Sequence, residues 1–205
     1  MRWRRHRDAQ PGISERDLAD TWQVVSLLLD YPDDVLLGRV PVLRGVVAGL
    51  PEPQRLPLTA FLDRLEQGAL GALQQEYVDT FDVTRKCSLH LTYFTHGDTR
   101  RRGVALVEFK QAYRRAGAEC DADVELPDHL CVVLEFGAVQ DWPTAWHLLT
   151  RHRVGIEVLR AGLAQRGSAW LPVLEALRST LPVLDGTDQE ALLRLKLDTG
   201  RTHQM

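Results

Sequence analysis

Apolar residues recur at helical spacing along almost the whole chain. Leu18, Trp22, Val25 and Leu29 repeat every three or four positions, so they share one stripe of a helix. Ser14 precedes that stripe with Asp17 three residues on, the spacing of a serine N-cap. Tyr31-Pro32-Asp33 ends the helix, because a residue before proline is driven out of the α region. The apolar run 35–50 carries Pro41 and three glycines, which predicts two short helices or one kinked one. Pro51, Pro53 and Pro57 predict a loop, with a short helix over 59–68.

Further on, Leu70, Leu73, Tyr77 and Phe81 form a core-facing seam. His96-Gly97-Asp98 predicts a turn, with Asp98 capping a helix over 99–116 that Gly117 closes. Pro127 and Asp128 open another helix, apolar nearly all round over 130–139 and therefore expected in the middle of a bundle. Asp141-Trp142-Pro143 breaks the chain again. One long helix over 145–166 follows, then another over 170–181 with Pro172 in its first turn. No alternating run suggests a strand and no repeat occurs. The expected fold is an all-α, single-domain helical bundle over 14–184. A loose basic tail (1–13) precedes it, and a short amphipathic helix around Leu192, Leu195 and Lys196 with a frayed end (185–205) follows it.

Composition narrows the function. The chain has 205 residues, enough to bury roughly 70% of its unfolded surface. Its net charge of −3 argues against nucleic acid as a partner. No apolar stretch approaches the roughly 18 residues that cross a bilayer, so no direct membrane insertion is expected. After the basic MRWRRHRD no apolar segment follows, so no secretory signal is expected. Three cysteines, Cys87, Cys120 and Cys131, without a framework spacing point to a reducing compartment, hence the cytoplasm.

The candidate chemistry is concentrated over 76–137. Glu76, Asp79 and Asp82 stand three apart on the helix that presents Tyr77 and Phe81. Carboxylates beside an aromatic seam suit a groove for a basic amphipathic peptide. Arg100, Arg101 and Arg102 begin a helix, where cations oppose the macrodipole. At least one is therefore expected to pair inside the fold, the acidic row being one possible partner, and the others to be exposed. Asp128 reads as a helix cap, and Glu135 as a carboxylate buried in an apolar helix that must be paired or protonated. His129 titrates near neutrality, so binding there would depend on pH. The competing reading is a small helical metal-binding enzyme or sensor using Cys87, His90, His96 and His129. Against it, His129-x-Cys131 spacing points its side chains apart on a helix. No catalytic nucleophile signature occurs, and no cofactor is expected.

Several blocks resemble the respiratory nitrate reductase assembly chaperone family, also called the delta chain. They are Glu76-Tyr77-Val78-Asp79-Thr80-Phe81, Cys87 to Tyr93, His96 to Arg100, Glu125 to Leu130 and Leu134-Glu135-Phe136. The segment from Leu27 to Pro32 is similar as well, and the likeness fades beyond Trp142. The resemblance implies a non-enzymatic, all-helical chaperone of the redox-enzyme maturation class. Its expected partner is the N-terminal segment of the apo catalytic (alpha) subunit, kept competent for molybdenum-cofactor insertion and membrane docking. On the matching blocks it implies partner-binding roles for Glu76, Tyr77, Asp79, Phe81, Asp128, His129 and Glu135, and the matching arginine run adds Arg100 and Arg101.

Overall fold

The structure, a computed structural model, describes residues 11–97, 99–118, 125–184, 186 and 189. The expected helix around Leu192, the tail over 1–10, the Asp98 cap and Cys120 lie outside the described residues. Among those described the chain is all-α. Its helices are α1 (Glu15–Leu28), α2 (Asp34–Ala48), α3 (Glu52–Gln67), α4 (Leu70–Tyr77), α5 (Tyr93–His96), α6 (Arg100–Arg115), α7 (Leu130–Val139), α8 (Trp142–Arg151), α9 (Arg153–Arg166) and α10 (Leu171–Ser179). Among the described residues one bridge of extended backbone pairs the segments at His90 and His129.

Local signals set most boundaries. Ser14 Oγ accepts the Asp17 amide at 3.1 Å, and Asp33 Oδ1 caps α2 by accepting the Leu36 amide at 2.7 Å. Gly117, at φ 75°, ends α6 with the Ala118 amide donating to the Tyr113 carbonyl at 2.9 Å. This six-to-one bond closes orphan carbonyls, and a left-handed glycine permits it. Gly167 ends α9 in the same way.

Three boundaries differ from expectation. α2 runs unbroken through Pro41, which lies on the exposed side. α3 begins at Glu52 rather than near Thr59. A helix's first turn has no intrahelical amide bonds to lose, so Pro53 is tolerated there. Pro57 loses one bond, outweighed by burial of Leu58, Phe61, Leu62 and Leu65. The long helix expected over 145–166 is two, parted at His152, whose buried ring lies 4.9 Å from that of Phe109.

The apolar stripe of α1 is completely buried. Its Trp22 stacks on Trp146 at 6.5 Å and donates through Nε1 to Thr180 Oγ1 at 3.0 Å, linking α1 to α8 and to the end of α10. α7 packs against α1 and α8. Gly137 makes this approach possible, since a Cβ there would lie 2.5 Å from Ala145 and 2.6 Å from the Trp22 ring. α9 approaches the segment over 86–91 through Gly155 and Gly162, where an added Cβ would lie 2.7 Å from the Leu91 and Lys86 carbonyl oxygens respectively. Side chains there would force backbone apart.

Candidate functional site

The segment after α4 does not continue as an α-helix. Val78–Asp82 forms a wide π turn, in which the Val83 amide donates to the Val78 carbonyl at 3.1 Å. Such turns are rare and concentrate at functional sites. Here the turn buries Thr80 and Phe81 while Asp79 and Asp82 face outward. Tyr77 is the hub of an aromatic cluster, 4.7 Å from Phe81, 5.5 Å from Trp170 and 5.5 Å from the exposed Tyr31. Its hydroxyl donates to the Leu29 carbonyl at 3.1 Å. Tyr77 and Phe81 are therefore largely core, with Tyr31 as the aromatic that solvent reaches.

The acidic row expected from spacing is not one face. Glu76 is half-buried and internally occupied: it accepts from Arg64 at 2.6 Å and from the Ala169 amide at 3.2 Å. Asp79 is exposed and accepts from Gln75 at 3.1 Å. Asp82, at the end of the wide turn, is exposed as well.

The second part of the site is a backbone crossing. The Leu91 amide donates to the Asp128 carbonyl at 3.0 Å, and the Leu130 amide to the Leu89 carbonyl at 2.8 Å. Asp128 is not the cap of α7; His129 holds that position without a side-chain bond. The fully buried Asp128 carboxylate instead accepts from the Thr92 amide at 3.1 Å and from the Thr92 hydroxyl, and lies 3.3 Å from His90 Nδ1. Burial alone would raise this carboxyl, but the close approach of His90 and the two bonds from Thr92 overrule it and hold it down at about 2. Arg102 points inward, 3.9 Å from Asp128 and over the Tyr93 ring at 5.8 Å, while Arg100 and Arg101 are exposed. Internal pairing of one arginine is thus with Asp128, not with the acidic row.

Tyr77 in the first part and His129 and Cys131 in the second all feel the charges of Asp30 and Glu125. Burial, then the nearby Asp30, Glu125 and Glu135, pushes the Cys131 thiol up. Burial also raises the Tyr77 phenol, reinforced by Cys131, Asp30, Asp82 and Glu125. Burial pushes His129 below the ordinary histidine range, against opposing pulls from Glu125, Asp128 and Asp30. The switch near neutrality expected of His129 is therefore displaced to lower pH. Asp30 and Glu125 thus act on both Tyr77 and Cys131, Asp82 on Tyr77 and Glu135 on Cys131. None of the four pairs with a cation among the described residues. Glu135 is exposed rather than buried, because it occupies the outer stripe of α7 while Leu134 and Phe136 turn inward.

The site so built contains Asp82, His129 and Glu135 from the sequence reading, with Tyr77 and Phe81 beneath. Glu76 and Asp79 stand beside it, Asp128 braces the crossing, and Arg100 and Arg101 belong to α6. Sequence reasoning missed Asp30, Tyr31, Glu125 and Cys131 as site residues. The aspartate-tyrosine pair at the end of α1 was legible only as a helix stop. Among the described residues no three His, Cys, Asp or Glu side chains converge to hold a metal ion, so Cys87, His90, His96 and His129 form no ligand set. Cys87 is fully buried, and burial raises its thiol.

Residues 48–176 match the protein family described as nitrate reductase delta subunit. Among similar proteins, the probable nitrate reductase molybdenum cofactor assembly chaperone NarJ of Bacillus subtilis (strain 168) is 29% identical over 82% of this chain and 92% of its own length. The nitrate reductase molybdenum cofactor assembly chaperone NarJ of Escherichia coli (strain K12) is 33% identical over 75% of this chain and 66% of its own. The nitrate reductase-like protein NarX of Mycobacterium tuberculosis (strain ATCC 25618 / H37Rv) is 35% identical over 78% of this chain, which spans 24% of that protein.

Proposed function

The chain belongs to the nitrate reductase delta subunit family, and we propose that it serves molybdenum-cofactor assembly by holding the N-terminal segment of the apo catalytic subunit. The family is one of assembly chaperones for nitrate reductase, not of catalysts. The cofactor is cargo of the assembled system rather than a resident group of this chain. The work takes place in the cytoplasm, in keeping with the cysteine usage; no described helix is long and apolar enough to cross a membrane.

One observation carries the peptide reading: Asp30, Asp82, Glu125 and Glu135, which pair with no cation among the described residues, act on Tyr77 and Cys131, and the exposed Tyr31 ring lies 5.5 Å from that of Tyr77. A helix laid in that place sets apolar residues against the aromatics and basic residues against Asp30, Asp82, Glu125 and Glu135. Carboxylates give orientation and encounter rate, and the aromatics give residence. The captured segment orders on binding, so part of the interaction energy is lost and release stays accessible. Asp128 positions the floor through the crossing of the two segments that carry His90 and His129.

Calorimetry with a synthetic peptide of the catalytic subunit's N-terminus tests this. Asp82→Lys combined with Glu135→Lys should weaken binding at least tenfold, since reversed charges repel a basic segment. Asp79→Lys, outside the rim, should weaken it less. Equal affinity for wild type and the double variant would remove the acidic rim from the mechanism.

A further inference from the structure

The outer face of α6 is not used by the site above. The helix carries six cations, Arg100, Arg101, Arg102, Lys110, Arg114 and Arg115, against the single carboxylate of Glu108, in a chain of net charge −3. Glu108 is occupied by Arg151 at 3.0 Å. Arg100, Arg101, Arg114 and Arg115 are exposed and pair with no described residue. Between them, on the same stripe, stand Val104 at 63% and Val107 at 49% exposure. Arg100, Val104, Val107, Gln111 and Arg114 follow helical spacing, so the stripe spans about 21 Å from one arginine pair to the other. Arg100 and Arg101 oppose the helix dipole, and Thr99 supplies no side-chain cap to offset them. The fold gains nothing from cations there.

We propose that this face of α6 docks peripherally on an anionic phospholipid surface. A straight convex stripe with arginines at both ends and valines between suits a plane of headgroups. The valines sit at the acyl boundary while the arginine stems reach outward and their guanidinium groups meet phosphates in a bidentate fashion. A bilayer offers phosphates at every point along the stripe, whereas an acidic protein segment would have to be ordered to match both ends. The contact requires no insertion. It stands apart from peptide capture, and either can fail without the other.

The test is flotation of the full chain with vesicles of equal parts phosphatidylglycerol and phosphatidylcholine, beside vesicles of phosphatidylcholine alone. Wild type should bind only the anionic vesicles and release at about 1 M salt, where the screening length is about 3 Å. The variant R100E/R101E/R114E/R115E should bind at least tenfold more weakly with an unchanged circular-dichroism melting curve. V104S/V107S, which keeps every charge, should bind several-fold more weakly. Replacing Arg2, Arg4, Arg5 and Arg7 by Ser should leave binding in place; loss there with retention in the α6 variants would overturn the proposal. So would no binding of wild type to anionic vesicles, or capture of polyglutamate in preference to them.

Discussion

Two groups of charges in this molecule are built from the same residue types and end oppositely. On α9 and α10 Glu157 is almost wholly buried, yet accepts from Arg153 at 2.7 Å, Arg178 at 2.9 Å and Arg160 at 3.1 Å. Glu175 closes the cluster by accepting from Arg160 and Arg178 at 3.1 and 3.3 Å. Burial would raise the Glu157 carboxyl, but the arginines overrule it and hold it below its usual range. The rim of Asp30, Asp82, Glu125 and Glu135 has no cation among the described residues, and it adds to the burial that raises Tyr77 and Cys131. The difference is one of burial: Glu157 must be answered from inside the fold, whereas Asp30, Asp82 and Glu135 are exposed and Glu125 half-buried, so solvent answers them and they stay open to a cationic partner.

The contrast is easiest to break from the closed side. Glu157→Ala removes the buried carboxylate that Arg153, Arg160 and Arg178 share and should cost about 3–5 kcal/mol in urea unfolding. A loss under about 1 kcal/mol would mean the cluster is no more structural than the rim. Acid titration gives the next largest effect. Burial, then Arg151 and His96, lowers His152 to about 4 from an ordinary 6.5. A histidine depressed in the fold favours the neutral form, so its contribution is complete above pH 6.5 and lost as pH falls toward 4. The loss is about 3 kcal/mol, and His152→Phe should flatten that part of a stability-against-pH curve. Asp128, held at about 2, gives its contribution above the ordinary carboxylate range and loses it only as pH falls toward 2.

Gly155→Ala drives a methyl to 2.7 Å from the Leu91 carbonyl oxygen, beside the crossing braced by Asp128. It should cost about 2 kcal/mol, read as a lowered melting temperature. The rim should give the smallest stability change. Asp30→Asn with Glu135→Gln relieves like-charge repulsion and should leave stability unchanged or raise it by about 0.5 kcal/mol, while peptide affinity falls. A destabilisation above about 1 kcal/mol would show that the rim is structural after all.

Much of the bundle is legible in the chain because its signals are local. The Ser14 cap, the α1 stripe, the glycine stops at Gly117 and Gly167 and the seam through Tyr77 each need only a few neighbouring residues. Failures occur where packing overrides local preference. Pro41 and Pro57 sit inside helices whose apolar faces are buried, and the break at His152 has no breaker residue on either side. Glu135 was misread because a run of apolar neighbours looks buried all round, although one stripe of any such helix can face solvent.

By itself the sequence determined that the chain is helical, where most helices begin and end, and which blocks carry family chemistry, since periodicity and capping act within a turn or two of helix. Only the tertiary structure decided which carboxylates stand together. Glu76 went to Arg64, Asp128 to Thr92 and His90, and Asp82 came to act on Tyr77 together with Asp30 and Glu125 from two other segments. Charge acts through space rather than along the chain, so the grouping that gives the site its sign appears only once distant segments are packed against each other.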